Sequence, residues 1–139
     1  MRPNSESVTQ AEYETLAALR HLLRRFLRFS EDAARGAKIA PQQYQALLAI
    51  KGFPRPMRIT IGELAERLQI RHHSAVGLVD RLVANGYIDR KHDRRDRRLI
   101  HVSLTLRSER LLERLASAHK EQLRRSGPEI ETLLKRLRQ

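Results

Sequence analysis

From residue 87 to residue 104 this 139-residue chain changes period, while the segments on either side place apolar side chains at steps of three and four. Ile100, Val102 and Leu104 alternate against His101 and Ser103, the period of a strand with one covered face. Residues 87–92 and 99–104 therefore read as two strands. Between them lies Asp93-Arg94-Arg95-Asp96-Arg97-Arg98, a highly charged tip. A hairpin ending in arginines is expected here, inside a chain that is otherwise helical.

The helical segments have readable ends. Over residues 11–29, Leu16, Leu19, Leu22, Leu23, Phe26 and Leu27 share one face of a long helix, which Gly36 ends. Arg20, Arg24 and Arg28 recur every four residues on it and read equally as a basic stripe or as a solvated face. Pro41 suits the first turn of a second helix, where its missing N–H needs no partner, with Tyr44, Leu47, Leu48 and Phe53 as the expected buried side. Gly52-Phe53-Pro54-Arg55-Pro56 then forces a loop. Thr60-Ile61-Gly62-Glu63 has the spacing of a capping box ahead of the amphipathic Leu64, Ala65 and Leu68. After Gln69 and Ile70, the polar run Arg71-His72-His73-Ser74 opens a further helix, with Val76, Val79, Leu82 and Val83 on one side and Asn85-Gly86 at its end. Two short helices joined by about four residues make a helix-turn-helix, and the hairpin behind them makes a wing. Helical spacing returns in Leu111, Leu112, Leu115, Ala116 and Leu123, is expected to break at Gly127-Pro128, and resumes in Ile130, Leu133, Leu134 and Leu137. The apolar stripes at both termini exceed what the compact middle can cover, and a second subunit is the simplest cover.

Charge narrows the partner. With 28 Lys+Arg against 16 Asp+Glu the chain carries a formal +12, for which nucleic acid is the first expected partner and an anionic membrane surface the second. The absence of Cys excludes disulfides, thiol redox sensing and thiolate metal sites. Residues 1–6 show no apolar core of a secretory leader, and the longest apolar run, residues 46–50, is far below the roughly 18 residues of a spanning helix. A soluble, cytoplasmic protein without membrane contact is expected. Neither a Gly-rich phosphate loop, nor a Cys nucleophile, nor an arrangement of Ser, His and carboxylates suggests an enzyme, and no cofactor is called for. His72 and His73 diverge by about 100° on a helix, and no Cys, Asp or Glu completes a ligand set, so no metal is expected either.

At about 100° per residue, His73, Ser74, Gly77 and Arg81 fall within one arc opposite Val79 and Leu82. That face combines hydrogen-bonding groups, a glycine that permits close approach and an arginine able to pair with guanine or phosphate, as a helix lying in a major groove requires. His72 lies in the first turn, whose N–H groups are themselves phosphate ligands. Each residue alone reads equally as solvent-facing. Together, after a capped helix and before a basic hairpin, they point to duplex DNA. In the wing, Arg94, Arg95, Arg97 and Arg98 outnumber Asp93 and Asp96 and suit the negative potential of a minor groove, the carboxylates orienting the arginines. A merely solubilising turn is the alternative reading of that tip.

These residues resemble the MarR-type transcriptional regulators. The resemblance runs through Ile39-Ala40-Pro41-Gln42-Gln43-Tyr44-Gln45-Ala46-Leu47-Leu48 and Ile61-Gly62-Glu63-Leu64-Ala65-Glu66-Arg67-Leu68. It continues in Ala75-Val76-Gly77-Leu78-Val79-Asp80-Arg81-Leu82-Val83-Ala84-Asn85-Gly86-Tyr87-Ile88, then in the wing tip as far as Leu104-Thr105. The Val-Asp-Arg-Leu run followed by the Asp-Arg-rich wing is its most specific part. The resemblance implies a mainly α winged helix-turn-helix, one domain over residues 1–139, with a DNA-binding lobe over about 40–105 and dimerisation helices over 8–36 and 106–139. It implies a homodimer that regulates transcription, as a repressor on a pseudo-palindromic operator. Carried over by position, the recognition-helix contacts are Arg71, His72, His73, Ser74, Gly77 and Arg81. In the wing, Asp96 and Arg98 match the family's Asp-x-Arg, with Arg94 and Arg95 at the tip and Arg97 between. Many members release DNA on binding a small aromatic or anionic effector, for which His21, Arg24 and Tyr44 are candidates that read equally as structural. Two departures stand out: Leu106-Arg107-Ser108 where the family often has a glycine, and His72-His73 where small hydroxyl residues are commoner. A non-specific architectural nucleic-acid-binding protein is the alternative function.

Overall fold

The computed structural model describes residues 7–139 as five helices and one antiparallel hairpin. They are α1 (Gln10–Gly36), α2 (Pro41–Lys51), α3 (Ile61–Leu68), α4 (His72–Ala84), β1 (Ile88–His92), β2 (Ile100–Leu104) and α5 (Leu106–Arg138). The expectation concerning residues 1–6 lies outside the described residues. Among the described residues no helix is long and apolar enough to cross a membrane. Packing divides the chain into two units, one running to Ser30 and resuming at Ala118, the other Glu31–Ser117. The divisions fall inside α1 and α5, so each long helix contributes to both units.

The Glu31–Ser117 unit holds the main core. Leu47, Leu64, Leu78, Val79 and Leu82 are wholly buried in it, with Ile59, Ile88 and Val102 closing it from the hairpin side. Pro41 opens α2 as expected, but Leu48 is exposed, and the buried arc runs instead from Ala46 through Ile50 and Leu47 to Tyr44. Leu48 lies about 40° beyond the Tyr44 edge of that arc, far enough to face solvent. A similar shift applies to α4: Ala75 and Leu78 join Val79 and Leu82 in the core, while Val76 and Val83 lie at its margin. Gly86, at φ +75°, turns the chain from α4 into the hairpin, a backbone state in which a side chain would be strained.

The hairpin pairs Ile88 with Leu104 through to His92 with Ile100. Tyr87 and Leu99, expected as strand ends, lie just outside the ladder, Tyr87 buried and Leu99 exposed. A two-stranded hairpin is marginal by itself in water. Here a third extended segment supports it, through a bridge between Thr60 and His101 and a Val102 N–H bond to the Ile59 carbonyl of 3.0 Å.

In the other unit, α1 buries Thr15 and Leu22, and α5 buries His119 and Leu133. The His119 Nε2 lies 2.8 Å from the Ser30 hydroxyl, and Phe26 and Phe29 meet the imidazole edge to face. The apolar face read along α1 resolves into two: Leu22 and Phe26 turn inward, while Leu16, Leu23 and Leu27 are left exposed. On α5, Leu123 and Leu134 are likewise exposed.

The expected break at Gly127-Pro128 does not occur, and α5 runs unbroken through Pro128. Proline removes one i to i−4 hydrogen bond from a helix interior but does not by itself prevent helical φ. The inward stripe keeps its phase across the proline: Leu115, His119, Gln122, Ser126, Ile130 and Leu133 recur at steps of four, three, four, four and three. Packing on both sides therefore continues the helix.

Candidate nucleic-acid interface

The candidate surface is built on α3, α4 and the hairpin. Thr60 and Glu63 form the expected capping box, the Thr60 hydroxyl accepting from the Glu63 N–H at 3.1 Å and Glu63 Oε1 accepting from the Thr60 N–H at 3.0 Å. α3 ends at Gln69 in the left-handed region, φ 54°, and the chain turns there toward α4. Arg71 occupies the N-cap of α4 with no side-chain cap, and the first turn holds no acidic residue. The amide groups of that turn are left for an external acceptor.

Along α4 the residues expected to read DNA fall where the sequence put them. Arg71, His72, His73, Ser74 and Arg81 are exposed, and Gly77 is half-buried among them. Val79 and Leu82, on the opposite side, are wholly buried. A Cβ at Gly77 would stand 3.6 Å from Arg81 Nη1, so the guanidinium folds back along the helix over the space the glycine leaves.

The wing tip is more ordered than its charge suggests. Asp96 grips Arg98 with both oxygens, Oδ1 to Nε at 3.0 Å and Oδ2 to Nη2 at 3.1 Å, the bidentate pair that orients a guanidinium. Hydrogen bonds from the Arg98 side chain and backbone hold the Asp96 carboxyl below its usual range. Asp93, expected to orient an arginine, instead caps the loop. Its Oδ2 accepts from the N–H groups of Arg95 and Asp96, both at 2.9 Å, and its Oδ1 lies 3.0 Å from His101 Nε2. The His101 hydrogen bond first, and the two backbone amides after it, bring its pKa down to about 2. The other ring nitrogen of His101 lies 3.0 Å from the Arg58 carbonyl, so one imidazole ties β2 to both the tip and the segment before α3. Arg94, Arg95 and Arg97 project from this loop, exposed.

Two features lay beyond the sequence reading. Asp80 on α4 and Arg90 on β1 form an ion pair that joins the helix to the hairpin. His101, read as solvent-facing from strand alternation, is the central hydrogen-bonding group of the wing. Arg58, whose carbonyl it holds, stands in no recognisable motif. The departure after Leu104-Thr105 also gains a role. Ser108 is fully buried and exchanges hydrogen bonds with Thr105, whose hydroxyl also donates to the Gly86 carbonyl at 2.8 Å. Arg107 lies over the Tyr87 ring at 4.6 Å and donates to the Asn85 carbonyl.

The three candidate effector residues are placed differently from one another. His21 and Arg24 are exposed on α1, whereas Tyr44 is buried in the core of the Glu31–Ser117 unit, where burial raises its hydroxyl pKa.

Residues 38–99 match a family model described as the MarR family. No curated protein matches the chain. Among solved structures, the fold is similar to AbsC, a MarR family transcriptional regulator from Streptomyces coelicolor, at 16% identity and a TM-score of 0.76 over 94% of this chain and 90% of that one. It is similar to a MarR family protein from Bacillus stearothermophilus at 25% identity and a TM-score of 0.70, covering 92% and 89%. It is also similar to Streptococcus pneumoniae FabT, solved in complex with DNA, at 21% identity and a TM-score of 0.74, covering 90% and 92%.

Proposed function

We propose, from the premise that this chain belongs to the MarR family of transcriptional regulators, that it is a repressor binding a pseudo-palindromic operator as a homodimer. The observation that carries this reading is the pairing, within one unit, of an outward polar face on α4 with a basic loop at the tip of the hairpin. Arg71, His72, His73, Ser74, Gly77 and Arg81 then enter a major groove, and Arg94, Arg95, Arg97 and Arg98 reach the flanking minor groove, with Asp96 holding Arg98 in register. The uncapped first turn of α4 offers its amides to a backbone phosphate.

The dimer reading rests on Leu16, Leu23, Leu27, Leu123 and Leu134, each at least 42% exposed on α1 or α5. Those faces serve as the dimerisation surfaces of a single domain over residues 1–139. Two reading helices related by a two-fold axis would fall about 34 Å apart, one turn of DNA. A small aromatic or anionic effector is proposed to release the operator, with the exposed His21 and Arg24 as its candidate ligands. Tyr44, in the core, would act on such a ligand only through packing. The protein acts in the cytoplasm, and its role is binding rather than catalysis.

Selection of bound fragments from genomic DNA, followed by competition with bulk DNA, tests this. The expected result is a recurring inverted repeat with half-sites about 10 base pairs apart, bound at least 10³-fold more tightly than random duplex. With about six to ten phosphates contacted, affinity should fall by roughly 10³ to 10⁵ between 50 and 200 mM salt. Equal affinity for random DNA would replace this reading with that of an architectural coating protein.

A further inference from the structure

The hairpin carries a concavity of about 430 Å³, lined by Arg58, Lys91, Arg94 and Arg95 together with His101 and Asp93. Arg58, ahead of α3, and Lys91, on β1, lie outside the α4 face and the hairpin tip. None of the four cationic side chains has a hydrogen bond or ion pair with the described residues. The one acid present is already engaged: Asp93 Oδ1 faces His101 and Oδ2 takes two backbone amides. Four like charges therefore converge on one hollow against a single carboxylate, whose oxygens are already taken by His101 and two backbone amides.

The backbone enforces this convergence. Lys91 and His101 are cross-strand partners and so share a face of the hairpin. The bridge between Thr60 and His101, and the His101 bond to the Arg58 carbonyl, bring Arg58 alongside. The Asp93-capped turn delivers Arg94 and Arg95. Mutual repulsion among exposed cations is tolerated in water, and it becomes attraction when an anion with several oxygens enters. Guanidinium forks and an ammonium fit a phosphate, whose oxygens can accept from more than one donor at once.

We infer that this hollow is a phosphate site that takes a sugar-phosphate group of the duplex, anchoring the wing independently of base sequence. This rests on the DNA-binding reading above. The duplex is favoured over a free phosphate because Arg94 and Arg95 belong both to the hollow and to the tip that carries Arg97 and Arg98. A lone anion among exposed side chains is also strongly screened, whereas a duplex presents its phosphates as an array.

The test compares the wild-type protein with an Arg58→Ala/Lys91→Ala double variant. Both substituted side chains are exposed, so thermal melting should be unchanged, and Arg58→Lys should retain most of the affinity. Binding to the selected operator and to a scrambled duplex is measured from 50 to 200 mM salt. The expected result is about a tenfold loss on both sequences alike, with the log–log salt slope shallower by about 1 to 2. Inorganic phosphate is titrated separately while following the Arg95 and Asp96 amide resonances, with no saturable shift expected below about 10 mM. Unchanged DNA affinity in the double variant overturns the inference while leaving the DNA-binding function intact. If saturable phosphate binding accompanied it, the hollow would be a free-anion site. A wild-type protein that bound no duplex at all would instead overturn the proposed function itself.

Discussion

At the scale of single residues, the wing turns on Asp93. Its folded pKa of about 2 lies below the ordinary 3.8, so the carboxylate form stabilises the fold. The sign follows from linkage: that stabilisation is complete above about pH 4 and is lost as the pH falls through 4 toward 2. The Arg95 and Asp96 amides, titrated by NMR, should shift with a midpoint near 2, and a midpoint near 3.8 would show that the cap does not form in solution. Gly77 gives a second test. A methyl group there makes only ordinary contact with Arg81, and replacing glycine by alanine in a helix interior is worth about 0.5–1 kcal/mol. On the proposed binding mode, Gly77→Ala should therefore raise the melting temperature while weakening operator binding, since the methyl would stand between the helix and the groove. A variant both more stable and equally tight would remove Gly77 from the interface. Residues of this kind differ in how far the sequence discloses them. Thr60 and Glu63 were readable because a capping box is local chemistry at a fixed spacing. His101 was not, because alternation reports which face a residue takes and not that a carbonyl 43 positions away lies beside it.

At the scale of elements, the Asp80–Arg90 pair links α4 to the hairpin, although both side chains are about half exposed. Exposed pairs contribute only about 0.2–1 kcal/mol. Arg90→Ala should accordingly change unfolding free energy by less than about 1 kcal/mol in denaturant melts. Its larger effect is expected in binding, where a hairpin less firmly tied to α4 engages the duplex less well. Loss of stability beyond 2 kcal/mol with unchanged affinity would contradict that assignment. The order of the elements was legible because each has its own period and its own punctuation. The unbroken α5 was not, since Gly127-Pro128 is the usual signature of an ending and the stripe that overrides it becomes visible only from burial. The buried arcs of α2 and α4 were missed by one position, because apolar residues alone do not say which edge of an arc faces inward.

At the scale of the whole molecule, two properties set behaviour: a +12 charge and apolar faces left open on α1 and α5. Placing charge on such a face is the direct test of assembly. Leu23→Glu with Leu27→Glu puts two carboxylates where the single chain leaves leucines in water, so the fold should survive by circular dichroism. On the proposed assembly, sedimentation equilibrium should show the parent protein as a dimer and this variant as a monomer, with operator affinity falling steeply as one half-site is lost. A charged variant that stayed dimeric would place the subunit contact elsewhere. From the sequence the need for a cover was evident in the number of leucines. Which of them turn outward followed only once Leu22 and Phe26 were seen to face inward.

The clasp that His101 and Asp93 make around the hairpin tip has a kinetic corollary. A loop of six charged residues would ordinarily sample many shapes, and freezing each of them during association opposes binding. Here the backbone of the tip is already folded when it meets its target, so what remains to be ordered on contact is the projecting arginine side chains. On the proposed binding mode, encounter then depends on orientation and field, and complex lifetime on how well a pre-formed shape matches the groove. Slackening the clasp should shorten residence time more than it slows arrival.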